Sequence, residues 1–92
     1  HVPTGDHMVL AGGTAYMSDA GMCGADDSVI GMNKEAPVER FLSKTSRPRL
    51  EAADGVATVS GVLIESDDNT GLATRVAPVR LGGLLSAAMP DF

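Results

Sequence analysis

The 92-residue chain is acidic, with 12 Asp and Glu against 7 Lys and Arg and a formal net charge of −5. A surface of this sign does not attract polyanions, so a duplex nucleic acid is excluded as the expected partner. No apolar run approaches the roughly 20 residues of a membrane span, and the single Cys23 excludes an internal disulfide and favours a reducing, cytoplasmic location.

The first half of the chain predicts a strand, a loop and a helix. Residues 14–18 mix strand-forming side chains between glycines and predict a short strand, which leads into a glycine-rich loop over residues 21–31. Residues 33–44 predict a helix, because Asn33 is a suitable N-cap and apolar residues recur at helical spacing. This apolar stripe consists of Val38, Phe41 and Leu42.

The second half changes to an apolar period of two. Residues 55–65 and 71–81 predict a β-hairpin around Ser-Asp-Asp-Asn-Thr, with Gly71 where a positive φ is needed. Residues 50–53 predict a preceding strand, and Pro78 is compatible with the second hairpin strand at a sheet edge. The predicted fold class is therefore α+β, with one helix and mainly antiparallel strands.

The residue types alone leave the function open. His1 and His7 are six positions apart, which matches no familiar metal motif, so two surface histidines are the plainer interpretation. Cys23 has no assignable base that would make it a nucleophile. The Asp26-Asp27 pair suits either a bound cation or a solvated loop.

Several uncommon blocks nevertheless stand in one order: HVPT at 1–4, GGTAYMSDAGMCGADDSVIGM at 12–32, KEAPVERFL at 34–42, and the terminal hairpin. In this order they resemble the C-terminal third of the YmdB-like bacterial metallophosphoesterases, which are calcineurin-like phosphodiesterases. The resemblance implies a fragment, with residues 1–81 as the C-terminal portion of the metallophosphoesterase domain and residues 82–92 as a tail. The intact fold that it implies is a four-layer αββα sandwich.

The resemblance also implies where the site lies. In that family two histidines one residue apart meet a dinuclear metal centre, and His1 matches the second of them. His1 is therefore the expected metal ligand, with two divalent ions such as Fe or Mn in the intact parent and none held tightly by this chain alone. Thr4, Asp19 and Gly21 are candidates to line the substrate cleft or to orient His1, and the alternative for them is a loop that is tied into the sheet. No residue of the chain is predicted to be catalytic.

The implied activity is metal-dependent hydrolysis of a small phosphodiester, such as a 2′,3′- or 3′,5′-cyclic nucleotide, by the intact parent, with this chain alone inactive. The alternative is a non-catalytic structural or oligomerisation module. Under both interpretations the apolar faces need a cover. We expect that cover to be the missing N-terminal part of the same fold or, for the chain alone, another copy in a homo-oligomer.

Overall fold

In the computed structural model of the protein, the described residues, 1–34 and 51–92, form five β-strands in two antiparallel sheets. The first sheet pairs β1 (Met8–Val9) with β2 (Ala15–Tyr16), and the second has the order β3 (Gly24–Ala25), β4 (Ala57–Ser66), β5 (Ala73–Gly82). The predicted α+β class is wrong, because this part of the chain contains strands and no helix. The helix predicted over residues 33–44 lies, from residue 35 onward, outside the described residues.

The residues at the described start of the predicted helix pair with a distant part of the chain. The Asn33 N–H donates to Glu51 O at 2.7 Å, and the Ala53 N–H donates to Gly31 O at 2.9 Å. Residues 31–33 therefore lie antiparallel to residues 51–53. These bonds describe the backbone up to residue 34 only, because the N–H groups that an Asn33 N-cap would serve belong to residues 35 and 36, which lie outside the described residues. Within its described residues, the strand predicted over 50–53 is reduced to an isolated bridge between Met32 and Ala52.

The hairpin of β4 and β5 confirms the strongest sequence prediction. Its turn is built on Asp67, whose Oδ1 accepts hydrogen bonds from the N–H groups of Asn69 (2.7 Å) and Thr70 (3.1 Å). The Gly71 N–H donates to Asp67 O at 2.7 Å, and Gly71 has a φ of 74°, as the sequence predicted. The predictions of a strand over residues 14–18 and of a glycine-rich loop over residues 21–31 are confirmed only in part. The strand predicted over 14–18 is limited to β2, and the predicted glycine-rich loop contains β3.

The edge position predicted for Pro78 is also confirmed, because β5 pairs with β4 on one side only. On the other side the Arg80 N–H donates outward to Ala88 O at 2.7 Å. Backbone N–H directions alternate along a strand, so the nitrogen of Pro78 also faces outward and no bond of the β4–β5 ladder is lost. Residues 82–92 fold back beside this edge, and the Arg75 guanidinium lies 4.3 Å from the centroid of the Phe92 ring.

Few side chains of the described residues are buried. Ala25 and Thr58, which lie near each other across β3 and β4, are the only buried residues in this part of the chain. The long strand β4 leaves large apolar side chains exposed on both of its faces. These are Val59 and Leu63 on one face and Val62 and Ile64 on the other. Strands that are apolar on both faces are typical of sheets covered on both sides. Within the described ranges there is also no helix long and apolar enough to span a membrane.

Candidate active-site edge

One polar cluster joins the first residues of the chain to the segment after β2, with Asp19 at its centre. The amino group of His1 donates to Asp19 Oδ2 at 2.5 Å, and the Gly21 N–H donates to Asp19 Oδ1 at 2.8 Å. The Thr4 N–H donates to the backbone oxygen of Asp19 at 3.1 Å, and the Asp19 N–H donates to Thr4 Oγ1 at 3.1 Å. The structure thus brings together the four residues singled out from the sequence, while their roles stay predictions.

Gly21 lets the chain pass close to β4 at this cluster. Its φ is 100°, a region that side chains with a Cβ rarely adopt. A Cβ at this position would lie 2.9 Å from Ser60 Oγ and 3.3 Å from Pro3 Cβ. Glycine is therefore required both by backbone conformation and by the space between the first residues and the sheet, which explains Gly21 without a direct ligand role.

A second carboxylate, Asp6, belongs to the same cluster, although no sequence pattern above identified it. Asp6 Oδ1 accepts hydrogen bonds from Thr4 Oγ1 at 2.5 Å and from the Ser18 N–H at 3.1 Å, and Asp6 Oδ2 accepts one from the Ser18 hydroxyl. The Tyr16 hydroxyl lies 2.7 Å from Ser18 Oγ. The sequence Thr4-Gly5-Asp6 is the signal that could have identified Asp6. Gly5 has a φ of 68°, and this turn brings the Asp6 side chain back onto Thr4.

The two carboxylates of the cluster, Asp6 and Asp19, carry negative charge. Hydrogen bonds from the Ser18 and Thr4 hydroxyls lower the pKa of Asp6 from 3.8 to about 2. The His1 amino group, followed by the Gly21 amide, holds the pKa of Asp19 below its ordinary value. Both groups are therefore ionised at neutral pH, which favours a cation at this edge.

The described residues fit a divalent metal in donor chemistry but not in number. Imidazole and carboxylate are donors that first-row divalent ions accept, and the side chains of His1 and Asp19 are 58% and 38% exposed. Among residues 1–34 and 51–92, no group of three or more His, Cys, Asp and Glu side chains is placed to hold a metal ion. The further ligands of a complete site would have to come from outside the described residues.

His7 and Cys23 do not join this cluster. His7 lines a separate groove, together with Arg75, Asp91 and Phe92. The Cys23 thiol donates to Ser60 O at 3.0 Å and accepts from the Ser60 N–H at 3.2 Å, so it continues the β3–β4 pairing through a side chain.

The adjacent pair Asp26 and Asp27 does not form a cation site in the described structure. Asp26 accepts hydrogen bonds from Thr58 Oγ1 at 2.7 Å and from the Leu84 N–H at 2.6 Å, so it ties the residues after β5 to the buried end of β4. Asp27 forms an exposed ion pair with Lys34 at 3.0 Å. The two carboxylates are engaged by different protein donors, which favours the solvated-loop interpretation for Asp27 and a structural role for Asp26.

Comparison with known proteins gives consistent matches. Residues 1–79 match the model of the family described as YmdB-like protein. The chain is 44% identical over 77 residues to the 2′,3′-cyclic-nucleotide 2′-phosphodiesterase of Bacillus subtilis (strain 168), a match that covers 83% of this chain and 28% of that protein.

Two crystal structures show the same similarity in three dimensions. One is described as a novel phosphatase from Mycoplasma pneumoniae, with a TM-score of 0.77 and 36% identity over 89% of this chain and 29% of that chain. The other is a hypothetical protein from Thermus thermophilus, with a TM-score of 0.76 and 33% identity over 89% of this chain and 31% of that chain. The chain thus spans less than a third of each of these three relatives.

Proposed function

This chain belongs to the YmdB-like family, and we propose that it is the C-terminal part of a metal-dependent phosphodiesterase acting on a small phosphodiester. A 2′,3′-cyclic nucleotide is the first substrate to test, because a relative with 44% identity is named for that activity, and a 3′,5′-cyclic nucleotide is the second. The observation that carries the proposal is the hydrogen-bonded cluster of His1, Thr4, Asp19 and Gly21. It gathers an exposed imidazole and an ionised carboxylate at one edge of the chain.

Each residue of the cluster has a distinct role in the proposal. His1 offers an imidazole nitrogen to the metal centre, and the Asp19 carboxylate accepts a hydrogen bond from the His1 backbone nitrogen, which is an amino group in this chain and would be a peptide N–H where residues precede it. Thr4 holds the backbone of Asp19, and the Gly21 N–H holds its carboxylate. When bound, a pair of divalent ions such as Fe or Mn supplies Lewis acidity towards water and the phosphate oxygens. Because the described residues lack further ligands, this chain alone is expected to be inactive.

The two exposed apolar faces of β4 support the same proposal. In a layered sandwich both faces of a central sheet are covered, and the chain spans only 28% of its phosphodiesterase relative. The N-terminal part that the proposal requires is the expected cover. The exposed and unpaired Cys23 fits a reducing compartment, so we place the protein in the cytoplasm.

The same apolar faces also favour one alternative, a non-catalytic structural or oligomerisation module. A turnover experiment separates the two functions. The protein to test is this chain joined to the N-terminal part of its fold, here called the extended protein, with Mn²⁺ and a 2′,3′-cyclic nucleotide as substrate. We expect turnover, a loss of at least about 100-fold in a His1→Ala variant because a metal ligand is missing, and normal turnover in the matched His7→Ala control. No turnover of either cyclic nucleotide by the unmodified extended protein would favour the module.

A further inference from the structure

We propose that Asp6 is a positioning residue for this site. Its carboxylate fixes the Thr4 hydroxyl, and through Thr4 it fixes Asp19 beside His1. The inference rests on the proposed function, and it adds a residue that lies outside the set His1, Thr4, Asp19 and Gly21.

The first step is the way in which Asp6 joins two segments. Its carboxylate accepts hydrogen bonds from Thr4 Oγ1, from the Ser18 N–H and from the Ser18 hydroxyl. Thr4 lies on the segment that carries His1, and Ser18 immediately precedes Asp19. One carboxylate therefore connects the two stretches of chain that form the candidate site. Its low pKa, about 2, keeps it ionised and thus acceptor-only at neutral pH.

The second step is the direction of the Thr4 hydroxyl, which has one hydrogen to donate. Thr4 Oγ1 lies 2.5 Å from Asp6 Oδ1 and 3.3 Å from Asp19 O. A bond to an ionised carboxylate is the shorter and stronger of the two, so the hydrogen points to Asp6. A lone pair of Thr4 Oγ1 then faces the Asp19 N–H, which donates to it at 3.1 Å.

The third step carries the constraint from Thr4 to His1. Both backbone groups of Asp19 are bonded to Thr4, one to its N–H and one to its hydroxyl. The Asp19 carboxylate accepts hydrogen bonds from the backbone nitrogen of His1 and from the Gly21 N–H. In the extended protein the His1 nitrogen is a peptide N–H, which has one hydrogen to donate to the same oxygen. Asp6 has no hydrogen bond to His1 among these contacts, so its effect on His1 passes through Thr4 and Asp19.

A carboxylate is required at position 6 because all three of its partners are arranged as donors. Asparagine has the same shape, but it replaces one acceptor oxygen with an NH₂ group. In an Asp6→Asn variant that group would face either the Thr4 hydroxyl and the Ser18 N–H, or the Ser18 hydroxyl, which could accept from it only by turning its own hydrogen away. The charge-assisted character of the remaining bonds would be lost in both cases. The substitution therefore loosens Thr4 while it changes the side-chain volume very little.

The kinetic test uses Asp6→Asn in the extended protein, with Asp68→Asn as the matched control. Asp68 lies in the hairpin turn and takes no part in this cluster. We expect Asp6→Asn to lower kcat by about 10–100-fold, as for residues that orient metal ligands, with KM little changed, and Asp68→Asn to change neither. Thr4→Val should resemble Asp6→Asn, Thr4→Ser should retain activity because it keeps the hydroxyl, and the double variant with Thr4→Val should lose little more than either single variant.

A second measurement on the same variants does not depend on activity. In the metal-free extended protein we expect Asp6→Asn to speed hydrogen exchange of the Asp19 amide by about 10-fold, because each factor of ten corresponds to the loss of one modest hydrogen bond. Exchange of the Asp19 amide at the unmodified rate in Asp6→Asn would overturn the proposal. An equal loss of kcat in Asp6→Asn and Asp68→Asn would do the same. If the unmodified extended protein had no turnover but Asp6→Asn still accelerated Asp19 exchange, the phosphodiesterase proposal would fail and the positioning of Asp19 by Asp6 would stand.

Discussion

Replacing Gly21 with alanine should destabilise the extended protein through two separable effects. The φ of 100° is a conformation that costs a residue with a Cβ about 1–3 kcal/mol. The new Cβ would also lie 2.9 Å from Ser60 Oγ and 3.0 Å from Ser60 Cβ, and overpacking of this kind costs about 1–3 kcal/mol. The sum, about 2–6 kcal/mol, is a large part of the roughly 5–15 kcal/mol by which folded proteins are stable.

Two other glycines of the same segment serve as matched controls. Gly5 has a φ of 68° but no described heavy atom within 4 Å of a built Cβ, so Gly5→Ala isolates the conformational cost, about 1–2 kcal/mol. Gly12 has neither a left-handed φ nor a described neighbour within 4 Å, so Gly12→Ala should be neutral or stabilising by up to about 1 kcal/mol. The expected order of destabilisation is Gly21→Ala, then Gly5→Ala, then Gly12→Ala.

Urea unfolding of the three variants measures this order as differences in the free energy of unfolding. Adding Ser60→Gly to Gly21→Ala removes the side chain that the new Cβ would meet. Measured against Ser60→Gly alone, because a glycine within a strand has a cost of its own, Gly21→Ala should then show only the conformational part. Equal free energies of unfolding for Gly21→Ala and Gly12→Ala would refute the reasoning. So would an effect of Gly21→Ala that is the same with and without Ser60→Gly, because the contact with Ser60 would then have no cost.

Three further predictions concern the charged cluster and the chain alone. The Asp6 carboxyl, followed by NMR in the extended protein, should titrate near pH 2 rather than at its ordinary 3.8. Because its folded pKa is depressed, its contribution to stability is complete above about pH 3.8 and is lost as the pH falls towards 2, and Asp6→Asn should remove this loss. The chain alone should sediment as oligomers at high concentration, because β4 exposes apolar side chains such as Leu63 and Ile64 on opposite faces; a compact monomer would contradict this. After desalting, the chain alone should retain no tightly bound divalent metal, and a stoichiometric pair of ions would contradict that expectation.

The hairpin could be predicted from the sequence because its signals are local. Alternating apolar residues define β4 and β5, and the turn depends on Asp67 and Gly71, which lie within a few residues of each other. Pro78 further indicated that β5 lies at a sheet edge, because proline lacks the N–H that an inner strand would need.

The pairing of residues 31–33 with residues 51–53 shows where local signals are insufficient. The Asn33 N–H donates to Glu51 O, and the two segments lie too far apart in the sequence for a local pattern to predict that they pair. The short strand β3 was missed for a similar reason, because Gly24 and Ala25 have no strand propensity of their own and pair with distant residues of β4.

The residues of the candidate site were also predicted only in part. His1, Thr4, Asp19 and Gly21 were identified through a family resemblance, and the structure joins them through Asp19. Periodicity and composition could not have selected them, because the contacts of His1 and Thr4 with Asp19 cross 15 or more positions of sequence. Asp6 was missed since its main partner besides Thr4 is Ser18, which lies 12 positions away.

The central claim is that the edge around His1 belongs to a metal-dependent active site, and metal content tests it most directly. The measurement is divalent metal per molecule after desalting for the unmodified extended protein, a His1→Ala variant and the matched His7→Ala control. The proposed function predicts a pair of ions in the unmodified protein and in His7→Ala, and a loss of metal in His1→Ala. A His1→Ala variant that kept the full pair of ions would contradict the assignment of His1 as a ligand and, with it, the proposed site.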